Sequence, residues 1–263
     1  MSFSHTERSL RAIEVLAEHP EGLQLAMIAS LLEMPKPGAH RLMAELVRLE
    51  FVTQDQSGAY LLTPRLVSIA FRHLACLGTV DAAQPVLDRL AKISGELVRL
   101  SVTDTRRQVF VAKAQGARGG LIYDPQMGEA AHLASMATGL AWLSTMDDIA
   151  AMRLVTAQGL GGSNLGPNAP KSPAEVLARL ENARSAGLAR AIDSSAPGMS
   201  AIAAPIFHPG TGTCLGTVSI GGPSSRLTPE RIEELLPALR DSAAELSDRV
   251  AASTYFTPAR AAN

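Results

Sequence analysis

Two prolines, Pro35 and Pro37, sit one residue apart inside a stretch that otherwise reads as helix. Each lacks an N–H and restricts the residue before it, so one long helix cannot run through them. Helical periodicity exists on both sides. Upstream, Leu25, Ile28, Ala29 and Leu32 recur at three and four; downstream, Ala39, Leu42, Met43, Leu46 and Leu49 form a second apolar stripe. The chain must therefore turn at Met34–Pro37 and restart a helix, with the prolines in the tolerated first turn.

The flanks extend this pattern. Leu10, Ile13, Leu16 and Ala17 predict a first helix over Ser9 to Ala17, ended by His19-Pro20-Glu21-Gly22. After the stripe, Phe51–Thr53 and Ala59–Leu62 flank the polar loop Gln54–Gly58, a hairpin pattern. Thr63-Pro64 then opens a further helix expected to reach Leu74. Helix, helix, turn, helix, hairpin is the order of a winged helix-turn-helix, in which the third helix enters the major groove of double-stranded DNA.

Charge limits how DNA could be held. Formal net charge is −1 over 263 residues, and residues 1–76 carry seven Lys/Arg against eight Asp/Glu. Contact must be local rather than a general basic coat. Lys36, His40, Arg41 and Arg48 concentrate on the third helix and its entry. Lys36 and Arg41 suit phosphate oxygens, and His40 either reads a base edge or packs against the protein. Pro37-Gly38 bring few side-chain donors, which shifts readout toward backbone shape or the wing.

Residues 77–94 read as a break followed by a connector helix, Asp81 to Ile93, serving either as transmission element and dimer contact or as ordinary packing. Beyond it, Leu97–Val102, Val109–Ala114, Ser200–Phe207 and Cys214–Ile220 have strand character; Ser135–Leu143, Ala174–Ser185 and a last helix after Thr228-Pro229 alternate with them. This predicts an α+β second domain over 95–252 with a central antiparallel sheet, and a flexible tail over 253–263.

Catalytic and metal signatures are missing from the sequence. The six histidines are scattered without an HExxH or a helical pair, Ser194-Ser195 has no GxSxG setting, and Gly159–Gly162 is not followed by Gly-Lys-Ser/Thr. Cys76 and Cys214 form no CxxC unit and fit a reduced, cytoplasmic setting, with Cys214 a small core residue. No apolar run is long enough for a membrane span, and the first residues lack signal-peptide regions. An enzyme, a cofactor or a metal site is not expected.

The ordered set of segments resembles the IclR-type bacterial transcriptional regulators across roughly residues 5–252. It rests on Ser9-Leu10, Ile28-Ala29, Pro35-Lys36 through His40-Arg41-Leu42, Tyr60-Leu61, His132–Leu140, Gly198–Ile206 and Val218–Thr228. The resemblance implies a GAF-like effector-binding domain, homodimers that commonly pair into tetramers, promoter DNA as partner, and a small organic effector. By position it places Gly120, Leu121, Met136, Ala137, Asp193, Ala201, Ser219 and Gly221 around the effector. Repressor and activator readings both remain, as does a dimeric DNA-binding protein with a degenerate, ligand-free sensor.

The chain departs from the family at telling positions. Glu33 stands where a glycine usually precedes the turn, and Pro37 and Gly38 replace hydroxyl residues. Ala134, Leu140, Ala191, Ala201 and Gly221 replace polar groups associated with the effector pocket. These losses predict a wider, more apolar cavity, suited to an aromatic carboxylate rather than a two- or three-carbon acid.

Overall fold

The computed structural model describes residues 4–66, 69, 81–103, 106–124, 130–162 and 164–256. The chain divides into two compact units, Met1–Thr79 and Val80–Asn263.

In the first unit α1 is His5–Ala17, α2 is Leu25–Leu31 and α3 is Lys36–Arg48. Helix α1 begins earlier than its apolar stripe predicts because Ser4 and Glu7 form a capping box. The Glu7 N–H donates to Ser4 Oγ at 3.2 Å, and the Ser4 N–H donates to Glu7 Oε2 at 3.3 Å. The three helices and the following hairpin bury Ala12, Leu16, Ile28, Leu32, Leu42, Met43, Leu46, Val52 and Tyr60 in one core. The hairpin pairs β1, Val52–Gln54, with β2, Tyr60–Leu62, one residue later than sequence suggests. Leu23 adds a third strand segment by exchanging both backbone hydrogen bonds with Tyr60. The helix expected from Pro64 begins at Arg65 and Leu66, but its reach to Leu74 and the break over Cys76–Val80 lie outside the described residues.

The second unit holds helix α4, Gln84–Ser94, then strands β3, Leu97–Thr103, and β4, Gln108–Gln115. Helices α5, Ala137–Leu143, α6, Asp148–Gln158, and α7, Pro173–Ala186, follow. Strands β5, Ala189–Ile192, β6, Met199–Phe207, and β7, Cys214–Pro223, complete the sheet before helix α8, Pro229–Asp248. The five strands run antiparallel in the order β4-β3-β7-β6-β5.

Strand alternation sorts the two faces of this sheet. Val98, Leu100, Ile202, Ala204, Val218 and Ile220 meet α4 and α8 in the larger core. Helix α4, read from sequence as a connector, thus contributes Ala83, Val86, Leu87, Leu90 and Ala91 to the core of this unit. Ala189, Ala191 and Ala203 point the other way, toward α5, α6 and α7. Small strand residues let α5 sit close, and all seven of its residues are buried. Gly139 lets the preceding turn pack against α5: a Cβ there would lie 2.4 Å from the Leu133 carbonyl oxygen. Phe256 and Ser253 are buried, so the segment expected to be a free tail from 253 is packed as far as Phe256. The reason is apolar: Phe256 joins the larger core.

Candidate functional sites

The first site is the outer face of α3. Its buried stripe is Ala39, Leu42, Met43 and Leu46. Pro37, Arg41, Ala44 and Arg48, spaced by three or four, lie one above another on the opposite face, and all four are exposed. Lys36 and His40 are exposed beside them, and Gly38 is half-buried at the first turn. The sequence-picked residues therefore share one solvent-facing end and side of one helix. Arg48 is the least available, because Glu45 accepts a hydrogen bond from it at 3.2 Å.

The start of α3 is set by backbone alone. Pro35 is its N-cap and offers no side-chain acceptor, and the Gly38 N–H donates to the Pro35 carbonyl at 2.9 Å. Glu33 closes the preceding turn at φ +49°. That is the left-handed region, so Glu33, at a position where the family usually has glycine, holds a strained turn.

The hairpin loop is fixed by Asp55. Its Oδ1 accepts from the Ser57 N–H at 2.8 Å, the Ser57 hydroxyl at 2.7 Å and the Ala59 N–H at 2.9 Å. The Ser57 hydroxyl, with the Ala59 amide next, holds the Asp55 carboxyl below its ordinary range. This cluster explains why the loop runs from Asp55 to Ala59. At the hairpin base Arg65 pairs with Glu50 at 2.6 Å and lies over the Phe51 ring at 5.2 Å.

The second site is an enclosed cavity on the α5 side of the sheet. Its floor is Arg99 on β3, Ser219 and Gly221 on β7, and Ala201 on β6. Register brings these together: Arg99 pairs with Ser219, and Ala201 pairs with Gly221. Met136, Ala137 and Thr138 at the start of α5 face the floor, while Tyr123, Ser195, Met199 and Ser200 close the sides. Arg99 is 9% exposed, with its guanidinium 3.6 Å from the Phe110 ring centroid and 5.8 Å from that of Tyr123.

Five of the sequence-picked residues, Met136, Ala137, Ala201, Ser219 and Gly221, line this cavity. Three do not. Leu121 is 69% exposed, and its neighbour Gly120 is a left-handed turn residue that leads to Tyr123, the side chain that does enter. Asp193, at φ +48°, shapes the turn before β6: its carboxylate accepts from the Gly198 N–H at 2.6 Å and the Ser224 hydroxyl at 3.3 Å. Arg99 and Tyr123 were missed. Arg99 was visible as the single charge in Leu97-Val98-Arg99-Leu100, on a strand buried on both faces.

The expectation of a wide, apolar cavity is corrected. The space measures about 20 Å³, room for about one water. Tyr123, Met136 and Met199 border the room left by Ala201 and Gly221, and the lining includes a guanidinium and the hydroxyl residues Thr138, Ser195 and Ser219. Ala134 and Leu140 are core residues behind it.

Elsewhere, Cys214 is half-buried, and burial pushes its thiol up. Among the described residues no cluster of three or more His, Cys, Asp or Glu could hold a metal ion. None of the described helices is long and apolar enough to cross a membrane.

A winged helix-turn-helix unit joined to an α+β unit with an enclosed cavity is the build of a two-domain transcriptional regulator. Residues 72–248 match the family described as bacterial transcriptional regulator IclR C-terminal, and residues 6–56 match the IclR helix-turn-helix domain. The chain is similar to the HTH-type transcriptional regulator KipR of Bacillus subtilis, at 28% identity over 88% of this chain and 91% of that protein. Its fold is similar to that of an IclR transcriptional regulator from Silicibacter sp. TM1040, with a TM-score of 0.78, 24% identity, and 97% and 100% of the two chains covered. It is also similar in fold to an IclR homologue from Microbacterium hydrocarbonoxydans complexed with 4-hydroxybenzoate, with a TM-score of 0.75, 20% identity, and 95% and 100% covered. The chain belongs to the IclR family of DNA-binding transcriptional regulators.

Proposed function

We propose that this regulator binds promoter DNA through α3 as a homodimer, and that a small organic carboxylate held on Arg99 sets its occupancy. The observation that carries the effector class is the buried guanidinium on the cavity floor. A guanidinium presents paired N–H donors, and a carboxylate can accept two parallel hydrogen bonds from it. The Tyr123 ring beside Arg99 suits a planar ligand body, as do the small residues Ala201 and Gly221. The ligand of the Microbacterium homologue, an aromatic carboxylate, is of this class.

The DNA reading assigns Lys36 and Arg41 to phosphates, His40 to a base edge, and Pro37-Gly38 to close backbone approach. Two α3 helices in a dimer would address half-sites about 34 Å apart. Footprinting of the chain's own upstream DNA tests this, with wild type and a Lys36→Ala/Arg41→Ala variant. Protection weakened across all sequences fits phosphate contacts, and unchanged affinity refutes the orientation. The closed cavity gives a second reading some support, a sensor domain that binds nothing. Calorimetric titration with 4-hydroxybenzoate, benzoate and small keto acids separates the two. Tight binding of a small keto acid alone would sink the aromatic class.

A further inference from the structure

Arg226, outside the cavity, joins three parts of the second unit. Its Nε and Nη2 donate to the two carboxylate oxygens of Glu96 at 2.5 and 2.7 Å, a bidentate fork. Its Nη1 donates to the Leu121 carbonyl at 3.1 Å. Glu96 is 4% exposed and follows Gly95, the left-handed C-cap of α4. Its own backbone is pinned there: the Glu96 N–H donates to Ser94 Oγ at 3.2 Å, and the Gly116 N–H donates to the Glu96 carbonyl at 3.1 Å. The carboxylate occupies space that only a glycine leaves open, since a Cβ at Gly222 would lie 2.4 Å from Glu96 Oε2. Gly222 directly follows the cavity-floor residue Gly221.

Leu121 lies two residues before Tyr123, whose ring lines the cavity. The same short segment is held from the other side, where Gln115 Nε2 donates to the Tyr123 carbonyl at 3.0 Å and Lys113 pairs with Asp124 at 2.5 Å. The cavity has room for about one water. Any organic ligand must therefore displace a lining side chain, and Tyr123 is the largest of those carried outside the strands and helices.

We propose that Arg226 is the positioning residue that carries cavity occupancy to the end of α4. In this structure the Leu121 carbonyl and the Glu96 carboxylate share one guanidinium. When a ligand moves the Tyr123 segment, the Leu121 bond breaks, and the Glu96 fork alone then sets the α4–β3 corner. Helix α4 is the first helix of this unit after the chain leaves the DNA-binding unit, so its end is where two loop states become two states of a rigid element. This rests on reading the cavity as the effector site.

The test uses full-length protein and Arg226→Lys, which keeps the charge but cannot serve all three acceptors from a planar fork. A Glu96→Gln/Arg226→Gln variant repeats it without a buried charge, should the first variant misfold. Calorimetry with 4-hydroxybenzoate and gel shift on the chain's upstream DNA are read together. The expected result is ligand affinity within about threefold of wild type, with the ligand-induced change in DNA affinity falling from at least about fivefold in wild type to less than about twofold. An undiminished change in DNA affinity overturns the proposal. If wild type binds no carboxylate, the effector reading fails separately, and hydrogen exchange decides the coupling. Tyr123→Ala then accelerates exchange at the amides of residues 94–97 when Arg226 is present and adds nothing in Arg226→Lys. An equal added effect in both backgrounds overturns it.

Discussion

Arg99 holds its guanidinium 3.6 Å from the ring centroid of Phe110, on the buried floor of a cavity that also receives the Tyr123 ring. A strand pair explains the contact. Phe110 lies opposite Ser101, and Ser101 shares a face with Arg99, so the ring and the guanidinium project to the same side of the sheet. Aromatic faces attract a guanidinium at this range.

Removal of that charge should weaken carboxylate binding while leaving the fold. Arg99→Gln is expected to weaken 4-hydroxybenzoate by roughly 10- to 100-fold, since a hydrogen bond to a charged group contributes about 1.5–3 kcal/mol. Calorimetry beside circular dichroism measures both. Retained affinity in a folded variant would remove Arg99 from the site.

Glu33 at φ +49° should be a stability reserve. Glu33→Gly relieves left-handed strain of order 1 kcal/mol, partly offset by the greater freedom of glycine in the unfolded chain. A net gain of about 0.5 kcal/mol is expected from urea denaturation, with DNA affinity unchanged. Destabilisation would show that the side chain has a role beyond the turn.

The wing should loosen in acid. The Asp55 carboxyl is held below its ordinary value of 3.8, with the Ser57 hydroxyl as the main cause. A depressed carboxyl contributes stability that is present above the unfolded value and lost as pH falls through the folded one. Protection of the Ser57 and Ala59 amides, relative to their intrinsic exchange rates, should therefore fall below about pH 4 more than general acid unfolding explains. Asp55→Asn should show this loosening already at pH 7.

Gly139 should tolerate no side chain. A Cβ there meets the Leu133 backbone at 2.4 Å, and a backbone cannot rotate away as a side chain can. Gly139→Ala is expected to cost about 1–3 kcal/mol or to prevent folding of the second unit, as overpacking does. A thermal melt within about 2 °C of wild type would contradict the close α5 packing.

Much of the fold was legible in the sequence because its periodicities are strong. Pro35 and Pro37 forced the turn, and the stripe Ala39, Leu42, Met43, Leu46 is the buried side of α3. The apolar runs along β3, β6 and β7 located the sheet. Strand β5 and helix α6 were not legible: Ala189-Arg190-Ala191-Ile192 is short and alanine-rich, and α6 is only weakly amphipathic. At the cavity, the family resemblance placed the floor residues Ala201, Ser219 and Gly221 but not Arg99 or Tyr123. Those two meet only through strand pairing and the path of a loop, which no local period encodes. The error over cavity size has a related cause. Small residues at Ala201 and Gly221 read as space, while Tyr123 arrives from elsewhere in the chain to border it.

The central claim is that a carboxylate on Arg99 controls DNA occupancy through α3. Gel shift on the chain's upstream DNA, with and without 4-hydroxybenzoate, tests it most directly in wild type and Arg99→Gln. The account predicts a ligand-induced change in DNA affinity of at least about fivefold in wild type and none in Arg99→Gln. The same response in both proteins would contradict it.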